Sequence, residues 1–210
     1  VSGATGDDLQ SLKDKAREMG ATTNKSASEA ADAMGYMALA GWDTEQMLTG
    51  IEPVLKLSSA GNIDLARASD LVTDSMSALG VEVNELDAYL DVMAKTSQSS
   101  NTDIDQLGEA FITAGGKLRD LGVDFNEGSI ALGLMADAGI KGSEAGRGLS
   151  AILTNLTSPT GQAKKAMEEL GISVFDSNGE FIGIEESLKL VDGALEGMTQ
   201  EQQNMYKSMI

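Results

Sequence analysis

The sequence has 210 residues, enough to bury a sizeable core as one domain or two small ones. Its 33 acidic against 15 basic residues, a formal net charge of −18, argue against direct nucleic-acid binding and against an anionic membrane surface; they describe a solvated acidic exterior. The absence of Cys and His removes disulfides, thiolate and imidazole metal sites, cysteine nucleophiles and every Ser-His-Asp arrangement.

Aromatic residues make up only 4%, beside 24 Gly, 11 Met and two prolines, so the core must be built from Ala, Leu, Ile, Val and Met. That composition suits closely packed helices better than a β-sandwich. The expected fold is all-α, a compact bundle or a short solenoid of helix pairs. Val1 is not a start residue and the last helix is still open at Ile210, so the sequence is expected to be a piece of a longer protein. No signal peptide or transmembrane run is visible in it.

Helix signals recur along the chain with short connections. Asp7 and Asp8 open a first helix that Gly20 is expected to close. Ser26-x-x-Glu29 is a capping box that starts SASEAADAMGYMALAGW, residues 26–42, in which ten of seventeen residues are Ala, Gly or Ser. On a helical wheel Lys25, Glu29, Asp32 and Tyr36 share one narrow strip, and Ala, Gly, Met or Leu fills the other directions. The pattern predicts a helix buried on most sides, with Ala31, Gly35 and Ala38 under a crossing neighbour; Gly35→Leu would then cost about 1–3 kcal/mol. Glu29 and Asp32 inside the run exclude a membrane span.

Asp43-x-x-Gln46 starts a segment that Gly50 and Pro53 should break or kink, with helix resuming over about 52–59. Asn62 is expected to cap the next helix and Gly80 to stop it. Asn84-x-x-Asp87 and Thr102-x-x-Asp105 should cap two more, the second ending near Gly122, and Asn126 and Ser143 should open another two before Pro159. Gly80-Val81-x-x-Asn84-Glu85 recurs as Gly122-Val123-x-x-Asn126-Glu127 at an offset of 42, and Gly41-Trp42 precedes Gly80-Val81 by 39. The chain therefore divides into N-terminal helices (1–40), three helix-pair repeats of about 40 residues (41–160), and a truncated C-terminal part (161–210). In that last part Gly171 ends a helix, and Asp176-Ser-Asn178-Gly179 between apolar residues predicts a small β-hairpin near 172–184. Helix over Glu185–Leu195 and a final one capped by Thr199-x-x-Gln202 follow.

No motif carries chemistry, and no catalytic, cofactor-binding or metal-ligating residue is expected. Asp176–Gly179 resembles the start of a calcium loop, which needs Gly at its sixth position and Glu at its twelfth; here Gly is fourth and Ser187 stands twelfth. Gly146-Arg147-Gly148-Leu-Ser-Ala151 matches a degenerate dinucleotide fingerprint without the preceding strand, and glycines that admit a crossing helix explain it better. The pairs Asp103/Asp105 and Glu185/Glu186 fall in first helical turns, where the dipole favours carboxylates; glycosidase-type chemistry would need two of them facing across a cleft. Met34, Met37, Met76, Met93 and Met135 read as core fillers. Trp42 reads as a plug between two helix pairs, and Arg147 as a partner for a carboxylate or for helix-end carbonyls.

Several long stretches together resemble the core region of bacteriophage tail tape measure proteins, of the minor tail protein family. They are Ala21-Thr-Thr with SASEAADAMGYMALAGWDTEQML, then GNIDLARASDLVTDSMSALG (61–80), Gly139-Ile-Lys-Gly-Ser-Glu-Ala-Gly146, and Leu170-Gly-Ile-Ser-Val-Phe-Asp176. The resemblance runs in order from about Leu9 to the end, although such proteins are usually far longer. It implies a structural, non-enzymatic role: a protein that lies in the tail tube, sets its length during assembly and leaves before or with DNA ejection. It implies tube subunits, baseplate or hub proteins and tail assembly chaperones as partners; self-association of the chain is a separate expectation. The implied locations are the virion tail and, during assembly, the host cytoplasm. The other readings are a tail-associated cell-wall hydrolase domain and a non-phage helical protein-binding module.

Overall fold

The structure, a computed structural model, describes residues 3–210. The described residues form eleven α-helices and no strand. In chain order these are α1 (Gly6–Thr22), α2 (Ala27–Leu39), α3 (Thr44–Gly61), α4 (Leu65–Leu79), α5 (Leu86–Ser99), α6 (Ile104–Asp120), α7 (Phe125–Asp137), α8 (Gly142–Thr157), α9 (Gly161–Leu170), α10 (Ile184–Leu195) and α11 (Gln200–Met209).

The even-numbered helices pack side by side in the order α2, α4, α6, α8, and the odd-numbered helices α1, α3, α5 and α7 form a second row against them. Turns between the rows reuse one local solution. Gly41, Gly80 and Gly122 each take a positive φ, and the next N–H reaches back to the carbonyl five residues earlier: Trp42 to Met37 (3.0 Å), Val81 to Met76 (3.0 Å) and Val123 to Leu118 (2.9 Å). This is the Schellman stop, with an apolar residue placed just past the helix to pack inward. Gly139-Ile140 and Gly171-Ile172 do the same, so the device is not confined to one position per forty residues.

The core is centred on Tyr89, Phe111 and Phe125, whose rings meet edge-on at 5.7 and 5.8 Å. Tyr89 and Phe111 are completely buried. With so few aromatics, the rest of this cluster is aliphatic and thioether, including Met34, Met37, Met76 and Met93. A second, smaller cluster gathers Leu156, Met167, Val174, Val191 and Leu195 from α8 to α10, and Phe181 touches both.

Several sequence expectations are corrected. α3 runs unbroken through Gly50 and Pro53. The buried residues Ile51, Val54, Leu55 and Leu57 hold it along that length, so tertiary packing outweighs the hydrogen bond that Pro53 cannot donate. Asn62 does not start α4 but ends α3 in the left-handed region (φ 50°), and Asp64 is the cap, accepting from the Arg67 N–H at 3.0 Å. Gly20 does not stop α1; a Cβ there would lie 2.6 Å from the Ala27 nitrogen, so the glycine admits the start of α2. The cap of α6 is Asp103, just after the expected Thr102, that of α7 is Asp124, just before the expected Asn126, and α8 begins at Gly142. Before α5 a 3-10 turn over Val83–Glu85 replaces the expected cap at Asn84.

The hairpin near 172–184 is also absent. Phe175 and Phe181 form one isolated antiparallel bridge around the Asp176–Gly179 turn, and no strand extends from it. The arms have no room, because Gly171 ends α9 on one side and α10 starts at Ile184 on the other. Two short arms without a third strand do not hold a ribbon together.

Candidate functional site

The residues with the most chemistry in the sequence are tied into local structure. Asp176 accepts from the backbone N–H of Asn178 (2.8 Å) and Glu180 (2.9 Å), an Asx turn closed by Gly179 at φ 83°. The Glu180 N–H above all holds the Asp176 carboxyl below its usual range, with the Asn178 N–H adding to it. Among the described residues no three or more acidic side chains converge as metal ligands. Glu185 is paired on the surface of α10 with Lys189 at 2.7 Å, and Glu186 stands 3.8 Å from the same ammonium. Gly146 lies inside α8, where a Cβ would collide with the Ala110 carbonyl oxygen of α6; the apparent dinucleotide fingerprint marks a helix crossing. Arg147 is exposed in the second turn of α8 and forms no ion pair among the described residues, so of its two expected partners, a carboxylate or helix-end carbonyls, the carboxylate is not found. Trp42 is half-buried, its ring lying directly over Gly50 where a Cβ would stand, at the joint of α3 and α4.

The most connected polar group was not singled out by sequence. Arg67, near the start of α4, gives its Nε to Asp105 at 2.6 Å and an Nη to Glu109, both on α6. Glu109 also accepts from the Ser143 hydroxyl of α8 at 3.0 Å. The guanidinium holds Glu109 below the ordinary carboxylate range, and the Glu109 bond raises Arg67 in return. The arrangement ties three neighbouring helices of one row, α4, α6 and α8. Asp105 and Glu109 lie four apart on one helix, but their cation lies 38 and 42 residues away, which no local pattern reveals. A second hidden contact fixes the start of α10: Glu127 of α7 accepts from the Ile184 and Glu185 N–H groups (2.7 and 3.0 Å) and so caps that helix, whose Ile184 is buried in the larger cluster.

The strongest surface feature lies on α2. Only Ala30, Ala33, Met34 and Met37 are buried there, whereas Ala31 and Tyr36 are exposed and Leu39 is 72% exposed. A Cβ at Gly35 would meet nothing within 4 Å. The expectation of a helix covered on most sides, with Gly35 under a neighbour, is therefore wrong: α2 is the end member of the even row and has α4 on one side only. Between α1 and α2 runs an open groove of about 690 Å³, lined by Leu9, Leu12, Lys13 and Arg17 on one side and by Ala27, Ala31, Asp32, Gly35 and Leu39 on the other.

A model of the family described as phage-related minor tail protein matches residues 13–210. The chain belongs to that family. This minor tail protein segment is 34% identical over 206 residues to the tape measure protein of Pneumococcus phage Dp-1, an alignment covering 98% of the chain and 18% of that relative. It is 30% identical over 189 residues to the probable tape measure protein of Escherichia phage P2, covering 90% of the chain and 23% of the relative. The segment thus spans about a fifth of the length of the curated relatives it matches. No solved structure matches it. No described helix of this family member is long and apolar enough to cross a membrane.

Proposed function

We propose that this chain is the compact core region of a tape measure protein, a structural component that helps set tail length, takes part in assembling the tail tube and is released at DNA ejection. The observation that carries the reading is the alignment of 98% of the chain with one tape measure protein at 34% identity. The role is non-enzymatic on this reading, in keeping with the tape measure descriptions of both relatives. Its partners are tube subunits, baseplate or hub proteins and assembly chaperones, and it resides in the virion tail after assembly in the host cytoplasm. Residues 41–160 act as three copies of one helix-pair unit; the pairs α3/α4, α5/α6 and α7/α8, each with one helix in either row, support that division.

The test is made in a phage carrying the parent protein. In-frame deletions in its extended helical regions should shorten the tail by about 1.5 Å per helical residue, read from electron micrographs. Replacing Asp176, Arg147, Glu185 or Glu186 singly by Ala should leave tail length unchanged. Tails of constant length after the deletions refute the ruler role. A peptidoglycan-degrading activity lost on one carboxylate substitution in a folded protein would instead establish the hydrolase.

A further inference from the structure

The open groove of α1 and α2 carries opposite charges on its two rims. Lys13 and Arg17 stand on the α1 rim and Asp32 on the α2 rim, with no ion pair between the rims among the described residues; Arg17 instead reaches Asp14 on its own helix at 2.8 Å. The floor between them is the strip Ala27, Ala31 and Gly35, and the large apolar side chains of Leu9, Tyr36 and Leu39 also line the groove, all three exposed. Inside the even row, equivalent small-residue surfaces are covered: a Cβ at Gly115 would lie 2.7 Å from Ala78 of α4, and one at Gly146 would collide with Ala110 of α6. At α2 the strip ends without a neighbour along the row, and a Cβ at Gly35 would meet nothing within 4 Å.

We propose that a second copy of this chain covers this groove, the two α2 helices crossing about a two-fold axis along their small-residue strips. A two-fold interface has to be complementary to itself, because the same patch appears on both sides. A groove with one basic and one acidic rim meets that requirement: rotation brings Asp32 of each copy to Lys13 of the other. With a net charge of −18, two copies repel through most faces, and the basic rim makes this one suitable. The absence of large side chains at the strip lets the helix axes approach closely, so that Leu39 and Tyr36 of each copy fill the groove of the other. The inference is independent of the length-setting role; a monomeric chain would leave that role standing.

Sedimentation equilibrium tests it with the whole chain, comparing the wild type, Lys13→Glu, Asp32→Lys, and an equimolar mixture of the two variants. Both positions are exposed, so the circular dichroism spectrum should be unchanged. The wild type should dimerise, and more weakly as salt rises. Each variant alone places like charges together and should weaken the dimer about tenfold or more. The mixture should restore it, because a dimer of one Lys13→Glu copy and one Asp32→Lys copy again joins opposite charges at both rim-to-rim contacts. Ala31→Arg should abolish the dimer in a folded monomer. A wild type that stays monomeric at its highest soluble concentration overturns the proposal, as does a dimer indifferent to both charge variants or a mixture that fails to recover.

Discussion

α2 and α6 read alike in sequence and behave differently in the fold. Both are rich in Ala and Gly, both carry apolar residues in several directions, and both begin at an acidic or hydroxyl cap. α6 lies between α4 and α8, and a Cβ added at Gly115 would strike Ala78 at 2.7 Å. α2 has only α4 along its row, and Gly35 faces open space. Small residues let a neighbour come close but do not supply one. The place of the helix in the row decides that, and it is set by the whole chain.

The comparison can be broken by substitution. Phe111→Ala on α6 removes a fully buried ring at the aromatic centre and should cost about 3–5 kcal/mol in chemical denaturation. The counterpart Tyr36→Ala on α2 should stay within about 0.5 kcal/mol. Equal losses at the two positions would mean that α2 is covered in the folded monomer. Gly115→Leu should destabilise by about 1–3 kcal/mol through overpacking against α4. Gly35→Ala, in contrast, should raise the stability of the monomer by about 1 kcal/mol when measured at concentrations too low for two copies to pair, the helix propensity gained at a position uncovered within the chain; a loss there would place a neighbour from the same chain over the strip.

The smallest effect sharpens the contrast through pH. Glu109 on α6 is held below its ordinary range by Arg67, so its contribution is complete above the unfolded-state value near 4.5 and is lost as pH falls through the lower folded value. Arg67→Ala should cost about 1 kcal/mol near neutrality, as expected for a partly exposed ion pair. It should also flatten the loss of stability below about pH 4.5. Denaturant midpoints of the two proteins measured from pH 3 to 7 check both effects, and parallel curves would show that the Arg67 pair contributes nothing to folding.

What was legible in the sequence follows the range of each interaction. The capping boxes at Ser26, Asp43 and Thr199 and the stops at Gly80 and Gly171 are completed within five or six residues, and the structure has them where the sequence puts them. Asn62 misleads because a residue that favours caps also tolerates the left-handed conformation, and the neighbouring Asp64 is the better acceptor. Pro53 misleads because burial of a long helix outweighs one missing donor. The Arg67 group was invisible because its members lie on three helices that meet only after folding. The turn at Asp176–Gly179 was readable, but the strands inferred around it were not, since a bridge becomes a ribbon only where other structure supports it.

Glu127 has a mechanical consequence. Besides the side chains around Phe181, its carboxylate is a polar tie between the larger hydrophobic cluster and the turn that opens α10. A pull on the C-terminal end would load the Asn155 side chain of α8, which donates to the Ile210 carbonyl at 2.8 Å, together with the small cluster and the two N–H bonds to Glu127. The C-terminal helices, held by fewer buried side chains than the rows, are expected to open first. The amides of Ile184 and Glu185 would exchange with solvent sooner than those of α6, and Glu127→Gln, which keeps the shape but removes the charge, would shorten that delay further.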